Sequence, residues 1–313
     1  MSWIQAKASI RPDQAEPMEE GLTAAGAIAI TLEDAKDQPV FEPERGTTPL
    51  WEQTILTALF PADQNMLQVE TITKRVFQSL SSTTFPGYRV EILENQDWTR
   101  KWIENFKPIQ FGKRLWICPS WCDVPSPDAV NLILDPGLAF GTGTHPTTSL
   151  CLKWLDQNDV QGKSVIDFGC GSGILGIAAL LLGAASVVAV DNDPQALLAT
   201  TDNALRNQIE NNALKTFLPE DAPQHAADVV IANILAQPLH QLKEAIAALT
   251  KPGGHIVLSG ILENQAAALA NHYRDQFSMN PPDLEDGWVR LTGIKKAINC
   301  PSEDSGKLKD AAT

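Results

Sequence analysis

Cysteine is sparse in this chain, with five among 313 residues and no Cys-x-x-Cys pair. An odd, scattered set of this kind is typical of a reducing compartment and argues against a disulfide-rich secreted fold. Cys118 and Cys122 are isolated from histidine in the sequence, which argues against a structural zinc site. We therefore expect no metal centre in this protein.

Clusters of lysine and arginine are also missing, and the formal net charge is -14. Proteins that bind nucleic acid directly usually have a basic face, so direct nucleic-acid binding is not expected. A strongly acidic enzyme attracts a basic protein or an amine substrate. Solubility in the cytosol explains the same acidity equally well, and composition alone does not decide between these two interpretations.

A signal peptide and a membrane span are not predicted. The start of the chain, from Ser2 to Lys7, lacks a basic stretch followed by an apolar core. The apolar stretch from Ile174 to Val190 is short for a span and ends in Asp191. A buried helix followed by a buried parallel strand explains this stretch better. We expect a cytoplasmic monomer that does not contact a membrane.

Residues 1–95 are predicted to form a small α+β domain. Hydrophobic periodicity predicts the order β-α-β-β-α-β, with elements at 3–10, 12–25, 27–32, 53–60, 63–80 and 88–93. This order is typical of a ferredoxin-like split βαβ fold. The domain contains no histidine and no cysteine, so we interpret it as a substrate-recognition domain. The alternative is a domain that only stabilises the rest of the chain.

Residues 96–125 are predicted to link two domains. Trp98, Trp102 and Phe106 have the spacing of an amphipathic helix with one aromatic face. The stretch from Ile109 to Trp121 predicts short strands around a hairpin turn.

Residues 126–298 alternate between predicted strands and helices. The strands are expected at 131–134, 163–167, 186–190, 228–232 and 254–259. Such alternation is typical of a doubly wound, mostly parallel sheet with helices on both faces. These sheets bind ligands at the carboxyl ends of their strands, where the strand order reverses. The polar residues 299–313 lack periodicity and are predicted to be disordered.

A glycine-rich loop directly follows the strand at 163–167. Its sequence is Asp167-Phe168-Gly169-Cys170-Gly171-Ser172-Gly173, and an apolar helix comes next. Glycines let the backbone approach a ligand, and a helix N-terminus offers unpaired N–H groups. Asp191, at the end of the following strand, is able to accept both hydroxyl protons of a ribose. The loop therefore predicts an adenosine cofactor, with Gly169, Gly171 and Asp191 at its site.

Two adenosine cofactors compete for this loop. The segment from Gly171 to Gly176 matches the G-x-G-x-x-G pattern of a dinucleotide site, with Asp191 about 20 residues further on. However, the glycine run starts earlier, after Asp167, whose carboxylate repels a pyrophosphate and attracts a cation. S-adenosylmethionine carries a cationic amino group and a sulfonium, so the pattern favours it over NAD. Glycines that serve only a tight strand-to-helix turn are the less favoured alternative.

Three segments resemble those of one protein family. They are the loop from Leu134 to Thr148, the glycine-rich loop at 167–173, and Asn233-Ile234-Leu235-Ala236. On the basis of these segments, the chain resembles the ribosomal protein L11 methyltransferase (PrmA) family, and the resemblance extends from Ser2 to about Lys296. The resemblance implies a class I, Rossmann-like methyltransferase domain after a ferredoxin-like domain that grips the substrate. It also implies S-adenosylmethionine-dependent methylation of α-amino and lysine ε-amino groups on a large-subunit ribosomal protein, up to the trimethyl state.

The same resemblance implies the cofactor contacts. These contacts are expected at Thr148, Gly169, Asp191 and Asn233. Gly171 is a fifth predicted contact, because it lies in the glycine-rich loop.

Asn233 is the predicted catalytic residue. The attacking amine must be unprotonated, although the reference pKa of lysine is about 10.4. Desolvation and a nearby sulfonium both lower the pKa of the amine. The amide oxygen of Asn233 is able to accept a hydrogen bond from that nitrogen and so to position it. The alternative is an asparagine that only caps the helix predicted at 238–249.

His145 has two interpretations that the sequence leaves open. It is a candidate general base because its pKa lies near neutrality. It is equally well explained as a loop residue that orders the neighbouring threonines. Thr144, Thr147 and Thr148 precede a predicted helix and are able to cap it.

Two other functions stay open at this point. One is an NAD-dependent oxidoreductase that uses the segment from Gly171 to Gly176. The other is a non-catalytic, ribosome-associated binding protein with a degenerate site, against which the intact Asp167, Asp191 and Asn233 argue.

Overall fold

The computed structural model describes residues 3–36, 50–61, 65–80, 87–93, 106–135, 143–210 and 212–297. The chain divides into two compact units, Met1–Glu104 and Asn105–Thr313. Three predictions fall wholly or partly outside the described residues: the helix with Trp98 and Trp102, the middle of the loop from Leu134 to Thr148, and the tail at 299–313. Among the described helices, none is both long and apolar enough to cross a membrane.

The first unit is an antiparallel sheet with two helices. Its elements are β1 (Trp3–Ile10), α1 (Pro12–Ala24), β2 (Ala29–Asp34), β3 (Thr54–Pro61), α2 (Met66–Leu80) and β4 (Tyr88–Leu93). The strand order is β2-β3-β1-β4, and all neighbours are antiparallel. This is the topology of the ferredoxin-like split βαβ fold, so the predicted fold of this unit is confirmed.

Alternating burial along the strands builds the core of the first unit. In β1 the side chains of Ile4, Ala6, Ala8 and Ile10 are buried, as the period-two pattern requires. Both helices cover this face, with Met18 and Leu22 from α1 and Val69 and Phe77 from α2 all buried against it.

The second unit contains the remaining elements. They are β5 (Ile109–Phe111), β6 (Leu115–Cys118), β7 (Val130–Ile133), α3 (Pro146–Gln157), β8 (Ser164–Phe168), α4 (Ile174–Leu181), β9 (Ser186–Val190), α5 (Pro194–Arg206), β10 (Leu214–Phe217), β11 (Ala227–Asn233), α6 (Ala236–Gln241), α7 (Lys243–Ala248), β12 (Thr250–Leu262), α8 (Glu263–Tyr273), β13 (Phe277–Met279), β14 (Asp283–Glu285) and β15 (Trp288–Lys295).

The central sheet of this unit has the order β10-β9-β8-β11-β12-β15-β13, and β14 pairs with β15. Within the run β10-β9-β8-β11-β12 all pairs are parallel, which confirms the predicted doubly wound, mostly parallel sheet. The edge formed by β13, β14 and β15 is antiparallel and was not predicted. The strand order reverses between β8 and β11.

A small second sheet has the order β5-β6-β7. The predicted hairpin is present as β5 and β6, but β7 pairs with β6 and does not join the central sheet. Asp156 of α3 anchors the hairpin, because its buried carboxylate accepts hydrogen bonds from the backbone N–H groups of Lys113, Arg114 and Leu115. Residues 109–118 of the segment predicted as a linker therefore form regular structure within the second unit.

Candidate active site

Three of the predicted cofactor residues meet at one edge of the central sheet. Phe168 at the end of β8 pairs with Ala232 of β11 and with Val190 of β9. The next residues along these strands are Gly169, Asn233 and Asp191. They lie where the strand order reverses, which is the usual ligand-binding position in an open α/β sheet.

The glycine-rich loop is held in a conformation that needs glycine. Gly169, Gly171 and Gly173 have φ values of 77°, 55° and 78°, in the left-handed region that other residues rarely adopt. A Cβ on Gly169 would lie 2.4 Å from Ile234 Cγ2, and a Cβ on Gly173 would lie 2.7 Å from Thr200 Cγ2. The sequence predicts that glycines here let the backbone approach a ligand. In the structure, Gly169 and Gly173 are also needed because a Cβ would collide with side chains of the protein itself.

Asp167 is placed differently from the expectation. Its side chain is fully buried beneath the loop, where Oδ2 accepts a hydrogen bond from the Gly176 N–H at 2.9 Å. Burial raises the pKa of Asp167 to about 7, and the charge of Asp191 adds to this effect while the Gly176 bond opposes it. The predicted role of Asp167 in attracting a cation is therefore corrected: the carboxyl group supports the turn and is partly protonated at neutral pH.

This burial predicts a pH dependence of stability. The pKa of Asp167 is about 7 in the folded state and about 3.9 in an unfolded chain. The folded state therefore binds the proton more tightly, and this contribution to stability is complete below about pH 4 and lost as the pH rises through about 7. Relative to Asp167→Asn, which does not titrate, the wild type should lose up to about 4 kcal/mol of unfolding free energy across this range.

Urea unfolding of both proteins at a series of pH values from about 4 to about 8 measures this difference. Curves of unfolding free energy against pH that stay parallel for the two proteins would show that Asp167 does not titrate in this range.

Asp191 is held in place by the loop. Its Oδ2 accepts a hydrogen bond from the Gly171 N–H at 2.9 Å, and its Oδ1 accepts one from the Asp193 N–H at 3.0 Å. Each carboxylate oxygen has a second lone pair, so both are still able to accept from the two hydroxyl groups of a ribose. The carboxylate is thus oriented by the protein before any ligand binds.

Asn233 and Thr148 are brought together by β11 and α3. Asn233 Nδ2 donates a hydrogen bond to Thr148 Oγ1 at 3.2 Å, and Thr148 is fully buried in the first turn of α3. This bond uses the amino group of the amide, so the amide oxygen is the atom that serves as an acceptor.

An apolar cavity of about 440 Å³ adjoins Asn233. Its lining residues are His145, Thr147, Asn233, Ile234, Leu235, Pro238, Gly260 and Trp288. The volume is within the usual range for small-molecule sites. Gly260 has a φ of 84° and allows its strand to pack closely against the backbone of Ile234, because a Cβ there would lie 2.3 Å from the Ile234 carbonyl oxygen. Of these residues, Pro238, Gly260 and Trp288 were not predicted.

His145 caps α3 and also lines the cavity. Its Nδ1 accepts a hydrogen bond from the Thr147 N–H at 3.3 Å, and its ring packs edge-on against Trp288 with centroids 4.9 Å apart. Burial lowers the pKa of His145, which favours the neutral ring. With Nδ1 as acceptor, the proton of the neutral ring is on Nε2, which then has no lone pair for a base. The structure supports the ordering role of His145, and the cap is this histidine and not Thr147 or Thr148.

A model of the protein family described as Ribosomal protein L11 methyltransferase (PrmA) matches residues 2–296. This chain belongs to that family. A member from Marinobacter nauticus is 53% identical over 95% of this chain and 99% of its own length. One from Ectopseudomonas mendocina is 54% identical over 95% of this chain and 100% of its own.

A solved structure of a family member agrees with the fold. The ribosomal protein L11 methylase from Lactobacillus delbrueckii subsp. bulgaricus matches with a TM-score of 0.56 and 33% identity. The match covers 61% of this chain and 100% of that chain. Membership in the family confirms the predicted class of reaction, methyl transfer, and the predicted methyl donor, S-adenosylmethionine. The two alternative functions, an NAD-dependent oxidoreductase and a non-catalytic binding protein, find no support.

Proposed function

We propose that this protein transfers methyl groups from S-adenosylmethionine to α-amino and lysine ε-amino groups of ribosomal protein L11. One observation carries the proposal: Asn233 lies beside the glycine-rich loop at the edge of the sheet and also in the wall of the apolar cavity. The side chain of Asn233 thus lies between the proposed binding site of the methyl donor and the proposed binding site of the amine.

The donor side is formed by Gly169, Gly171, Asp191 and Asn233, with Thr148 behind Asn233. When bound, S-adenosylmethionine supplies an electrophilic methyl group on a sulfonium. The fixed carboxylate of Asp191 suits the ribose hydroxyl groups, because its two backbone hydrogen bonds leave one lone pair on each oxygen.

The acceptor side is the cavity lined by Ile234, Leu235, Pro238 and Trp288. Such apolar walls desolvate an incoming amine and so lower its pKa, which increases the unprotonated fraction that reacts. Within the cavity the amide oxygen of Asn233 accepts a hydrogen bond from the amine. This bond orients the lone pair of the amine nitrogen toward the methyl carbon, in line with the bond from that carbon to the sulfur. The leaving group is a neutral thioether, so no acid is needed to protonate it.

We assign recognition of ribosomal protein L11 to the first unit. It folds with its own core and carries no histidine or cysteine, so its chemistry suits binding and not catalysis. We also place the reaction in the cytoplasm, because the proposed substrate is a ribosomal protein.

Intact-mass analysis of purified ribosomal protein L11 tests this proposal. After incubation with the protein and S-adenosylmethionine, the mass should rise by whole methyl increments, and peptide mapping should locate them on amino groups. A sample of ribosomal protein L11 whose amino groups are acetylated beforehand serves as the control and should not change. If the mass of unacetylated ribosomal protein L11 does not change after incubation with the protein and S-adenosylmethionine, the proposal is contradicted.

A further inference from the structure

Strands β14 and β15 form a hairpin whose two-residue loop is Asp286-Gly287. Both loop residues have positive φ, 49° and 78°, as a type I′ turn requires. The register pairs Glu285 directly with Trp288 across the hairpin. Because opposed residues of an antiparallel pair extend from the same face, a contact that holds Glu285 also holds Trp288.

Glu285 is fastened to helix α3 by two side chains. Ser149 Oγ donates to the carboxylate, at 2.9 Å from Oε1 and 3.2 Å from Oε2. Lys153 Nζ donates to Oε2 at 2.6 Å. Ser149 is buried and the Glu285 side chain is only 28% exposed, so these charge-assisted bonds are partly shielded from water.

A second contact fastens the same hairpin to the same helix. Arg290 of β15 is buried, and its Nη1 donates to the Leu150 carbonyl oxygen of α3 at 2.5 Å. The other end of its guanidinium forms an ion pair with Asp283, its cross-strand partner in β14. Both strands of the hairpin are therefore attached to α3, the helix that begins after His145.

We propose that Glu285 is a positioning residue for the acceptor side of the active site. Through Ser149 and Lys153 it fixes the hairpin so that Trp288 closes the cavity beside His145. Glu285 itself is not part of the cavity lining, so it acts through Trp288. The inference rests on the proposed function, since it takes the cavity to be the place that receives the amine.

The ribose-binding part of the donor side, Gly169, Gly171 and Asp191, is built from other elements. It consists of the loop after β8 and the end of β9, and neither forms a hydrogen bond or ion pair with Glu285 in the described part of the chain. Loss of the Glu285 contacts should therefore affect the two halves of the site unequally. This asymmetry separates a positioning role from a general effect on stability.

Steady-state kinetics of Glu285→Ala tests the proposal. We expect kcat/KM for ribosomal protein L11 to fall about tenfold or more, because a displaced Trp288 no longer aligns the amine. The affinity for S-adenosylmethionine, measured by calorimetry, should be unchanged. Glu285→Gln keeps an oxygen that accepts from Ser149 and should restore most of kcat/KM.

Glu244→Ala is the matched control. Glu244 is a carboxylate of the same unit that also lies in an ion pair, with Lys243, and accepts a hydrogen bond from Gln276. It does not line the cavity, so its loss should leave kcat/KM unchanged. An equal loss of kcat/KM in Glu244→Ala, or a loss in Glu285→Ala that comes with weakened donor binding, would overturn the proposal.

Fluorine NMR of protein labelled with fluorotryptophan separates this inference from the proposed function. The Trp288 resonance, assigned by its absence in Trp288→Phe, should shift or broaden in Glu285→Ala and not in Glu244→Ala. A wild type that fails to methylate ribosomal protein L11 would refute the proposed function without affecting this readout. A Trp288 resonance that is identical in wild type and Glu285→Ala would refute the positioning role.

Discussion

Replacing Asn233 with alanine is expected to reduce kcat for methylation of ribosomal protein L11 by about 100-fold or more. Asn233 is the residue shared by the edge of the sheet and the cavity, and its amide is oriented by Thr148. Without its oxygen, the amine in the cavity has no acceptor to aim its lone pair. Initial rates at saturating S-adenosylmethionine measure the effect.

The melting temperature of Asn233→Ala should stay close to that of the wild type. The lost hydrogen bond to Thr148 contributes only about 1 kcal/mol to stability. Asn271→Ala, which removes an exposed asparagine from α8, is the matched control and should keep full turnover. Near-normal turnover in Asn233→Ala would remove Asn233 from the mechanism, whatever the other residues of the site do.

Replacing Asp191 with alanine should weaken binding of S-adenosylmethionine by about 100-fold, since two hydrogen bonds from ribose hydroxyl groups to a carboxylate are lost. The loop also loses the bond from the Gly171 N–H that sets its position. Both losses act on the donor side, so KM for ribosomal protein L11 should change little. Titration calorimetry with S-adenosylmethionine measures the affinity.

Asp193→Ala is the control for this change. Asp193 caps α5 through its side chain but contacts Asp191 through its backbone N–H, which alanine keeps. Its loss should lower stability by about 1 kcal/mol without changing the affinity for the donor. An unchanged affinity in Asp191→Ala, or a gain in affinity for NAD, would contradict the assigned role of Asp191.

Part of the proposed donor side could be predicted from local pattern, namely Gly169, Gly171 and Asp191, whereas Thr148 and Asn233 were assigned to the cofactor by the family resemblance. A strand, a glycine loop and a helix lie in sequence order around Gly169, and the next strand ends at Asp191. Parallel strands align their carboxyl ends, so the pattern alone brings Gly169, Asp191 and Asn233 to one edge. The same reasoning gave the doubly wound sheet and the β-α-β-β-α-β order of the first unit.

Apart from Asn233 and His145, the acceptor side could not be predicted, because it depends on long-range packing. Trp288 reaches the cavity on an antiparallel strand at the edge of the sheet, and no motif or periodicity in the sequence marks it. The segment of β7 has the composition of a parallel strand, yet β6 provides its partner in a separate sheet. Pairings of this kind depend on tertiary contacts that a single sequence does not display.

Asp167 shows a different limit of sequence reasoning. Its position before the glycine loop suggested a charge that faces a cation, but position along a strand does not give side-chain exposure. The structure turns the carboxyl group under the loop toward the Gly176 N–H. Because Asp167 is fully buried, its carboxyl group supports the turn, and it does not provide the exposed charge that the sequence pattern suggested.

A crystal structure with bound S-adenosylhomocysteine tests the central claim most directly, namely that donor site and acceptor cavity meet at Asn233. The ribose hydroxyl groups should lie within hydrogen-bonding distance of Asp191, and the sulfur should face the cavity between Asn233 and Trp288. A ribose placed away from Asp191, or a sulfur on the side of the loop opposite to the cavity, would contradict it.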